Sequence, residues 1–426
     1  MLVATSVATD SRVLREARTL AEAGHAVHII GKQVPEGFRP PEDFGPPEGF
    51  RPPGGITVSS VGAGSALRRQ GAPSLSSRPL PPHLRTARWL LLPQHRNSAF
   101  GRWARGAVEQ ARSLAFDAVH AHDFTALPAA AELARERGVP LVYDSHELWS
   151  GRPRVGRPTP VQTWREKREE GRLGARAAAV ISVGDGVAAA LRSMFGWDHV
   201  VVVRNTFPYV PPPDPGPAGA PVRDRPAGLV YAGRLAPYRE LEVVAAASAR
   251  LPLPVSLVGP ADDTWLSRFD PGTAIVTGAV PPEQVARLLT DAGLALVTHS
   301  DRWENHRLAL PNKLFHAVAA GVPVVATDVG ELAAAVRRHG LGTLYRPGDA
   351  AGLVRAVEEA CRRYPELVAA VRAAGPELSW EHDAKILLGV YERLAARSGP
   401  AAGGPAAGAG GAAGAGRAGA GGAGEA

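Results

Sequence analysis

A short helix, a turn and a buried strand are predicted by one segment of the chain, Leu310-Pro-Asn-Lys-Leu-Phe-His-Ala-Val-Ala-Ala-Gly-Val-Pro-Val-Val-Ala-Thr-Asp328. Pro311 is typical of a first helical turn, Gly321 is typical of the residue that follows a helix, and 322–326 is an apolar run rich in β-branched residues. A run of this composition indicates a strand that is buried in a parallel sheet.

Lys313 falls in the first turn of this predicted helix, where its charge meets the positive end of the helix dipole. The placement becomes favourable if an anion lies between the two, because helix N-termini bind phosphates through free N–H groups and a lysine adds a point charge. Lysine is rare in this chain, which has only Lys32, Lys167, Lys313 and Lys385. We therefore interpret Lys313 as a phosphate ligand; a solvated lysine at a helix end is the alternative.

Strand-like runs and helical segments alternate on both sides of a Pro/Gly-rich linker at 208–226. The other apolar runs with the length of strands are 2–6, 26–30, 117–120, 139–144, 178–183, 200–203, 229–232, 255–258, 274–277 and 294–298. This alternation is typical of parallel sheets with helices on both faces. The sequence therefore predicts an α/β fold of two Rossmann-like, doubly wound parallel-sheet domains that face a central cleft.

The linker and the composition give the expected boundaries. We predict an N-terminal domain over 1–212, a C-terminal domain over 226–378, a final helix over 379–397 and a disordered Gly/Ala tail over 398–426. Residues 35–82 form a Pro-rich insertion, in which Pro35-Glu-Gly-Phe-Arg-Pro-Pro41 is repeated as Pro47-Glu-Gly-Phe-Arg-Pro-Pro53. We expect a loop of polyproline-like or disordered character there, and a ligand for a proline-binding domain is the alternative.

A basic aromatic segment follows at 83–112. Its arginines and tryptophans are Arg85, Arg88, Trp89, Arg96, Arg102, Trp103, Arg105 and Arg112. Such a stretch can lie on an anionic membrane surface. The alternative is a pair of ordinary helices, broken near Pro93, that bury their aromatic side chains in the domain.

Size, charge and cysteine content limit the class of protein. The 426 residues suffice for two domains, and the net charge of +7 permits contact with anionic lipid, nucleic acid or phosphorylated ligands without choosing among them. Cys361 is the only cysteine, so neither an internal disulfide nor a cysteine-based zinc site is expected. Because no signal-peptide pattern and no apolar window near ~18 residues is present, we expect a cytoplasmic protein.

Polar residues at the carboxyl ends of the predicted strands are the candidate site, because ligands bind there in doubly wound sheets. Gly233, Arg234 and Arg239 follow the strand at 229–232. Gly233 allows close backbone approach, and the two arginines with Lys313 would supply three positive charges for one diphosphate. An arginine-rich surface loop is the alternative.

Two further strand ends carry polar side chains. His122 follows the strand at 117–120, where it could donate a hydrogen bond or move a proton, although a packed histidine is the alternative. Asp144, His146 and Glu147 lie together at the end of the strand at 139–144 and could bind the hydroxyls of a polar substrate.

Four more residues complete the candidate set. Asn312 and His316 share a polar helix face with Lys313. Asp10 and Arg12 open the first helix of the N-terminal domain and border the same cleft. A role as N-cap accounts for Asp10 equally well.

Together these segments resemble glycosyltransferase family 4, whose members are retaining enzymes of the GT-B fold. The resemblance covers about 1–396, without the Pro-rich insertion. It rests on four signatures in order: Asp10-Ser-Arg-Val-Leu-Arg-Glu-Ala-Arg-Thr-Leu-Ala-Glu-Ala-Gly-His25, His120-Ala-His-Asp123, Gly233-Arg234 with Arg239, and Leu310-Pro-Asn-Lys-Leu-Phe through Gly321-Val-Pro-Val-Val.

The resemblance implies an enzyme that moves a sugar from a nucleotide-diphosphate sugar, its co-substrate, to an acceptor, with no metal and no other cofactor. The implied catalytic residues are His122, Arg234 and Lys313. The implied donor-binding residues are Gly233, Arg234, Arg239, Asn312, Lys313 and His316. The implied acceptor-side residues are Asp10, Arg12, Asp144, His146 and Glu147. The helix at 379–397 would pack back on the N-terminal domain.

Three positions depart from the family pattern. Arg239 stands where lysine is usual, which keeps the charge but changes its geometry. The family commonly has two glutamates eight positions apart on the donor helix, and Leu308 and His316 stand in their places. A GT-B sugar-nucleotide epimerase and a catalytically impaired nucleotide-sugar-binding scaffold are therefore rival readings. The acceptor could be a glycan, a glycolipid or a small molecule. The basic aromatic segment favours an envelope or polysaccharide acceptor reached from the inner face of the membrane, and no nucleic acid partner is expected.

Overall fold

The computed structural model of the chain describes residues 1–32, 55–61, 100–152, 160–209, 211 and 224–398. Within these ranges the chain forms two sheets whose paired strands are all parallel. The strands of the first sheet are β1 (Leu2–Val3), β2 (Val27–Gly31), β3 (Ile56–Ser60), β4 (Val119–His122), β5 (Leu141–Ser145), β6 (Ala179–Ser182) and β7 (Val200–Val202). They lie side by side in the order β3-β2-β1-β4-β5-β6-β7.

The second sheet belongs to the C-terminal half. Its strands are β8 (Gly228–Ala232), β9 (Val255–Val258), β10 (Ile275–Thr277), β11 (Gly293–Val297), β12 (Val324–Thr327) and β13 (Gly342–Tyr345). Their order is β10-β9-β8-β11-β12-β13. The prediction of an α/β fold with two doubly wound parallel sheets is therefore confirmed.

Helices cover both faces of each sheet. They are α1 (Ser11–Glu22), α2 (residues 100–112), α3 (Asp123–Arg137), α4 (Pro160–Gly174), α5 (Asp185–Phe195), α6 (Leu241–Ser248), α7 (Asp263–Leu266), α8 (Pro282–Ala292), α9 (Glu304–Leu308), α10 (Asn312–Ala319), α11 (Gly330–His339), α12 (Ala350–Arg362), α13 (Tyr364–Ala374) and α14 (Trp380–Ser398). Successive strand residues point to opposite faces, so Val142 and Tyr143 of β5 lie in two different cores.

The segment 310–328 folds as its sequence predicts. Asn312 begins α10, Gly321 adopts a left-handed φ of 69° just after the helix, and β12 follows. Leu314, Phe315 and Val318 are buried. Lys313 therefore lies in the first turn of a helix whose apolar face is fixed in the core.

The final helix, α14, packs on the N-terminal domain. Trp380 Nε1 donates to Thr19 Oγ1 of α1 at 3.0 Å. Leu387, Val390 and Leu394, spaced at helical intervals, are buried in the core that also contains Leu14.

Two expectations need correction. Part of the predicted Pro-rich loop, Ile56–Ser60, is strand β3, because its alternating β-branched residues pair with all five residues of β2. In the basic aromatic segment, Trp103 is buried and its Nε1 donates to the carbonyl of Gly31, so this tryptophan belongs to the core rather than to a membrane surface. The repeat at 35–53, the segment 83–99 and the tail from 399 lie outside the described residues. In the part of the chain described, no helix is both long and apolar enough to cross a membrane.

Candidate active site

Both sheets have a point at which the strand order reverses. In the first sheet it lies between β1 and β4, and in the second between β8 and β11. Loops that leave two such neighbouring strands diverge and open a crevice for a ligand. His122 ends β4, Gly233 follows β8, and His299 stands two residues after the end of β11. The sheet topology therefore places these residues where binding crevices form.

Lys313 of α10 lies against the loop that follows β8. A Cβ atom on Gly233, whose φ is +159°, would stand 3.3 Å from Lys313 Cδ and 3.5 Å from Lys313 Nζ. The ammonium lies 4.9 Å from the ring centroid of Tyr231, and the Tyr231 hydroxyl donates to the carbonyl of Arg234 at 2.9 Å. Because Gly233 has no side chain, the Lys313 ammonium can lie close to the backbone of this loop.

The Lys313 ammonium shares this crevice with the guanidinium of Arg239. Burial, and after it the positive charge of Arg239, lowers the pKa of Lys313 to about 7. Two cations held together in a half-buried crevice are costly unless an anion joins them. The crevice is therefore a site that lacks negative charge and suits a diphosphate.

Two histidines that the sequence analysis missed belong to the same cluster. Burial lowers the pKa of His299 to about 2, and the charges of Lys313, His306 and Arg239 act in the same direction. The His299 backbone N–H donates to Thr327 Oγ1 at 2.8 Å, and its ring lies 4.9 Å from that of His306. The sequence contained the signal, because His299 directly follows the strand predicted at 294–298.

Arg234 and Asn312 are less enclosed than Arg239 and Lys313. The side chain of Arg234, the residue after Gly233, is exposed. Asn312 is also exposed, and its Oδ1 accepts a hydrogen bond of 3.0 Å from Asn205 Nδ2, at the end of the N-terminal domain. The three predicted cations are thus not equally enclosed, since Arg239 and Lys313 are half-buried and Arg234 is exposed.

His316, predicted as a donor-binding residue, makes an aromatic contact. Its ring is half-buried and stacks on that of Phe207, which lies after β7 and before the linker, with centroids 3.8 Å apart. The guanidinium of Arg15, on α1, lies over Phe207 at 4.5 Å. His316 is therefore engaged in a contact between the domains, which the spacing on its own helix could not reveal.

Arg12 and Asp144 form a buried ion pair in the N-terminal domain. Arg12 Nε and Nη2 donate to the two carboxylate oxygens at 2.9 and 2.8 Å, and Nη1 donates to the carbonyl of Val203 at 2.9 Å. Burial would raise the pKa of Asp144, but the charges of Arg12 and His146 hold it well below its usual range. Both side chains are closed to solvent, so the prediction that they face an acceptor is corrected: they join α1 to β5 and β7.

His122 and His146 both contact Asp144. His122 Nδ1 lies 3.1 Å from Asp144 Oδ2 and 3.2 Å from His146 Nε2, and burial lowers the pKa of His122. Its Nε2 has no hydrogen-bond partner among the described residues. His146 Nε2 lies 3.0 Å from Asp144; burial opposes its charge, but Asp123 and Asp144 raise its pKa to about 10.

A group of metal-ligand side chains is also present here. Among the described residues, Glu16, His120, His122 and Asp144 bring ligand atoms within 4.8 Å of one another. Arg12 Nη2 already lies 2.9 Å from Glu16 Oε1 and bonds Asp144 as well, and a guanidinium at this distance would repel a divalent ion. These residues therefore do not fit a metal. Burial raises the pKa of Glu16 to about 8, which leaves Asp144 as the main counter-charge of Arg12.

The remaining predicted residues lie at the edge of this cluster. Asp10 caps α1 by accepting a hydrogen bond of 3.3 Å from the Val13 N–H. Glu147 is half-buried; its Oε2 accepts a hydrogen bond of 2.9 Å from Asn305 Nδ2 of the C-terminal domain, and its Oε1 pairs with Arg152 at 2.9 Å. Asp10, His146 and Glu147 are the partly exposed members of the acceptor-side set.

Comparisons with known proteins agree with this arrangement. The family described as "Glycosyl transferase 4-like domain" matches residues 9–206, and that described as "Glycosyl transferases group 1" matches residues 226–363. A D-inositol 3-phosphate glycosyltransferase from Rhodococcus erythropolis is 30% identical over 301 residues, which are 64% of this chain and 66% of that protein. One from Jonesia denitrificans is 27% identical over 65% of this chain and 72% of its own length. The chain thus spans about two thirds of the length of these curated relatives.

Solved structures match over nearly the whole chain. Sucrose-phosphate synthase from Thermosynechococcus elongatus has a TM-score of 0.67 at 16% identity, covering 92% of this chain and 98% of its own. The Anabaena protein HepE, in complex with UDP-glucose, has a TM-score of 0.62 at 14% identity, covering 92% and 99%. These likenesses show the GT-B fold. With the two family matches in order along the chain and a parallel sheet in each half, this chain belongs to glycosyltransferase family 4.

Proposed function

We propose that this chain transfers a sugar from a nucleotide-diphosphate sugar to an acceptor hydroxyl, with retention of the anomeric configuration and without a metal ion. One observation carries the proposal: Lys313 and Arg239, both half-buried, lie close together at the switch point of the C-terminal sheet. A diphosphate in this crevice would neutralise both charges. The structure of HepE with UDP-glucose supports a donor of this class for the fold.

Charge separation explains how the crevice would accelerate the reaction. The bond between the anomeric carbon and the phosphate oxygen breaks, and the electron pair leaves with the diphosphate. The acceptor oxygen forms the new bond to that carbon, and its proton leaves to a phosphate oxygen or to solvent. Arg239 and Lys313, with the N-terminus of α10, stabilise the departing charge, and a fixed donor of this kind contributes several kcal/mol in the transition state.

His122 would act on the transferred sugar. Its Nε2 is buried and has no hydrogen-bond partner among the described residues, so a sugar hydroxyl would reach it only after this strand end opens to admit the donor. His146 and Glu147, partly exposed at the same strand end, would contact the acceptor. The names of the curated relatives make D-inositol 3-phosphate one acceptor for the first panel.

Turnover of a panel of nucleotide sugars, with and without acceptors and with EDTA, tests the proposal. We expect one donor to be consumed at an unchanged rate in EDTA, with NMR of the product showing a retained anomeric configuration. Lys313→Ala should abolish turnover, and Lys385→Ala, at an exposed lysine on α14, should not. Tight donor binding without turnover with any acceptor would favour a scaffold instead.

A further inference from the structure

Helix α4 exposes two large apolar side chains to solvent. Val161 is 57% exposed and Trp164 is 58% exposed, and both belong to the few large apolar side chains on the described surface with such exposure. At about 100° per residue, Val161, Trp164, Arg165, Arg168 and Arg172 fall within an arc of roughly 100° on one side of the helix. All five are exposed.

The opposite side of α4 fixes this orientation. Glu170 is buried and accepts a hydrogen bond of 2.7 Å from the hydroxyl of Tyr143 in β5. Leu173 is buried in the core, and a Cβ atom on Gly171 would stand 2.9 Å from the ring of Phe195. The helix therefore cannot rotate to bury Trp164 without breaking its contacts with the domain.

The charges of the exposed face are mostly positive. Arg168 lies over the ring of Trp164 at 5.5 Å, so the cation and the aromatic form one surface. Of the glutamates of α4, Glu170 is buried and Glu166 accepts hydrogen bonds from Trp149 Nε1 at 2.8 Å and from Gln162 at 2.9 Å. Glu169 is exposed, at the margin of the arc.

We propose that this face of α4 docks on an anionic lipid bilayer. Tryptophan prefers the membrane–water interface, arginine stems reach lipid phosphates, and a stripe that unites the two matches the surface of such a bilayer in both polarity and charge. The proposal does not depend on sugar transfer. It places the membrane contact on α4, whereas the sequence placed it at 83–112, of which Trp103 is buried in the core.

The other side of α4 is linked to the cleft. Trp149, bonded to Glu166 of α4, lies under the guanidinium of Arg152 at 4.5 Å. Arg152 pairs with Glu147, which in turn bonds Asn305 of the opposite domain. These contacts join the domain-facing side of α4, opposite the exposed arc, to the strand end that carries His146 and Glu147.

Flotation with lipid vesicles tests the proposal without any measurement of turnover. The full chain is mixed with vesicles of phosphatidylcholine alone or with a third of phosphatidylglycerol, at low and physiological salt. The variants are Trp164→Ala and the double charge reversal Arg165→Glu/Arg168→Glu. Arg250→Glu/Arg287→Glu is the matched control, because it changes the net charge equally at exposed arginines of the C-terminal domain.

We expect the wild-type chain and the control to float with the anionic vesicles only. Trp164→Ala should weaken the partition roughly tenfold, and the α4 charge reversal should weaken it more than about tenfold. Equal flotation of the α4 variants and the wild type, or no flotation of the wild type, would overturn the proposal. So would a loss of heparin binding in the α4 variants while vesicle binding persists, which would indicate a soluble polyanion. Donor binding by the same variants should equal that of the wild type whether or not α4 docks on lipid. A failure of the docking proposal is thus distinguishable from a failure of the proposed function.

Discussion

His316 lies face to face with Phe207, with ring centroids 3.8 Å apart and planes inclined by 24°. Arg15 covers Phe207 at 4.5 Å, so the stack joins α1, the segment after β7 and α10. Leu308, at the other position where the family commonly has glutamate, packs against the core of the N-terminal domain. His316 and Leu308 thus both contact the N-terminal domain. Neither side chain can bind a ribose as a carboxylate would, and both are used for contacts between the domains.

The stack predicts that His316 contributes to stability rather than to donor binding. His316→Ala should lower the free energy of unfolding by about 1–2 kcal/mol, since a stacked aromatic pair contributes about 0.5–1.5 kcal/mol beyond its buried area. The donor Kd should change less than about threefold. Urea denaturation and calorimetric titration check the two halves. A large loss of donor affinity with an unchanged free energy of unfolding would instead show that His316 binds the donor.

The same residue gives a pH dependence of stability. Burial, with the charges of Arg15 and Lys313, lowers the pKa of His316 from 6.5 to about 4. The unfolded chain therefore binds more protons between these values, and the His316 contribution is complete above pH 6.5 and is lost as the pH falls toward 4. His316→Phe keeps a ring on Phe207 but cannot titrate. Its stability should fall less between pH 7 and pH 5 than that of the wild type, in parallel urea titrations; equal losses would contradict this assignment.

Lys313 predicts how donor affinity depends on pH. With a pKa of about 7 in the free protein, Lys313 loses its proton as the pH rises, whereas a bound diphosphate would hold the proton on. Affinity should be full below pH 7 and should decline above it by up to about tenfold per pH unit. A nucleotide sugar is the suitable probe because its diphosphate does not titrate in this range. Lys313→Arg, which stays charged, should show a flat profile in the same calorimetric series, and a falling profile in that variant would assign the titration to another group.

The Arg12–Asp144 pair predicts a large structural effect. Asp144→Asn leaves Arg12 buried without its main counter-charge and should cost about 3–5 kcal/mol of unfolding free energy. Asp328→Asn, which breaks the exposed pair with Arg337, should cost less than about 1 kcal/mol. Chemical denaturation at pH 7 compares the two. Similar small costs would mean that Asp144 is more solvated than its closed surroundings indicate.

Features that depend on neighbouring residues could be predicted from the sequence, whereas features that depend on contacts between distant residues could not. The strands and α10 follow from local periodicity and from residues such as Pro311 and Gly321, so the sequence alone indicates them. Strand β3 was missed because its pairing with β2 outweighs the Pro-rich composition around it. The partners of His316 and Arg12 lie more than a hundred positions away, and no local pattern encodes such contacts.

Calorimetric titration of the preferred nucleotide sugar into the wild type, Arg239→Ala, Lys313→Ala and Lys385→Ala tests the central claim most directly, because it measures the grip on the diphosphate without turnover. We predict that the first two substitutions each weaken binding at least about tenfold, as expected when one charged hydrogen bond is lost, and that Lys385→Ala binds as the wild type does. Binding by Arg239→Ala and Lys313→Ala within about twofold of the wild type would contradict the account.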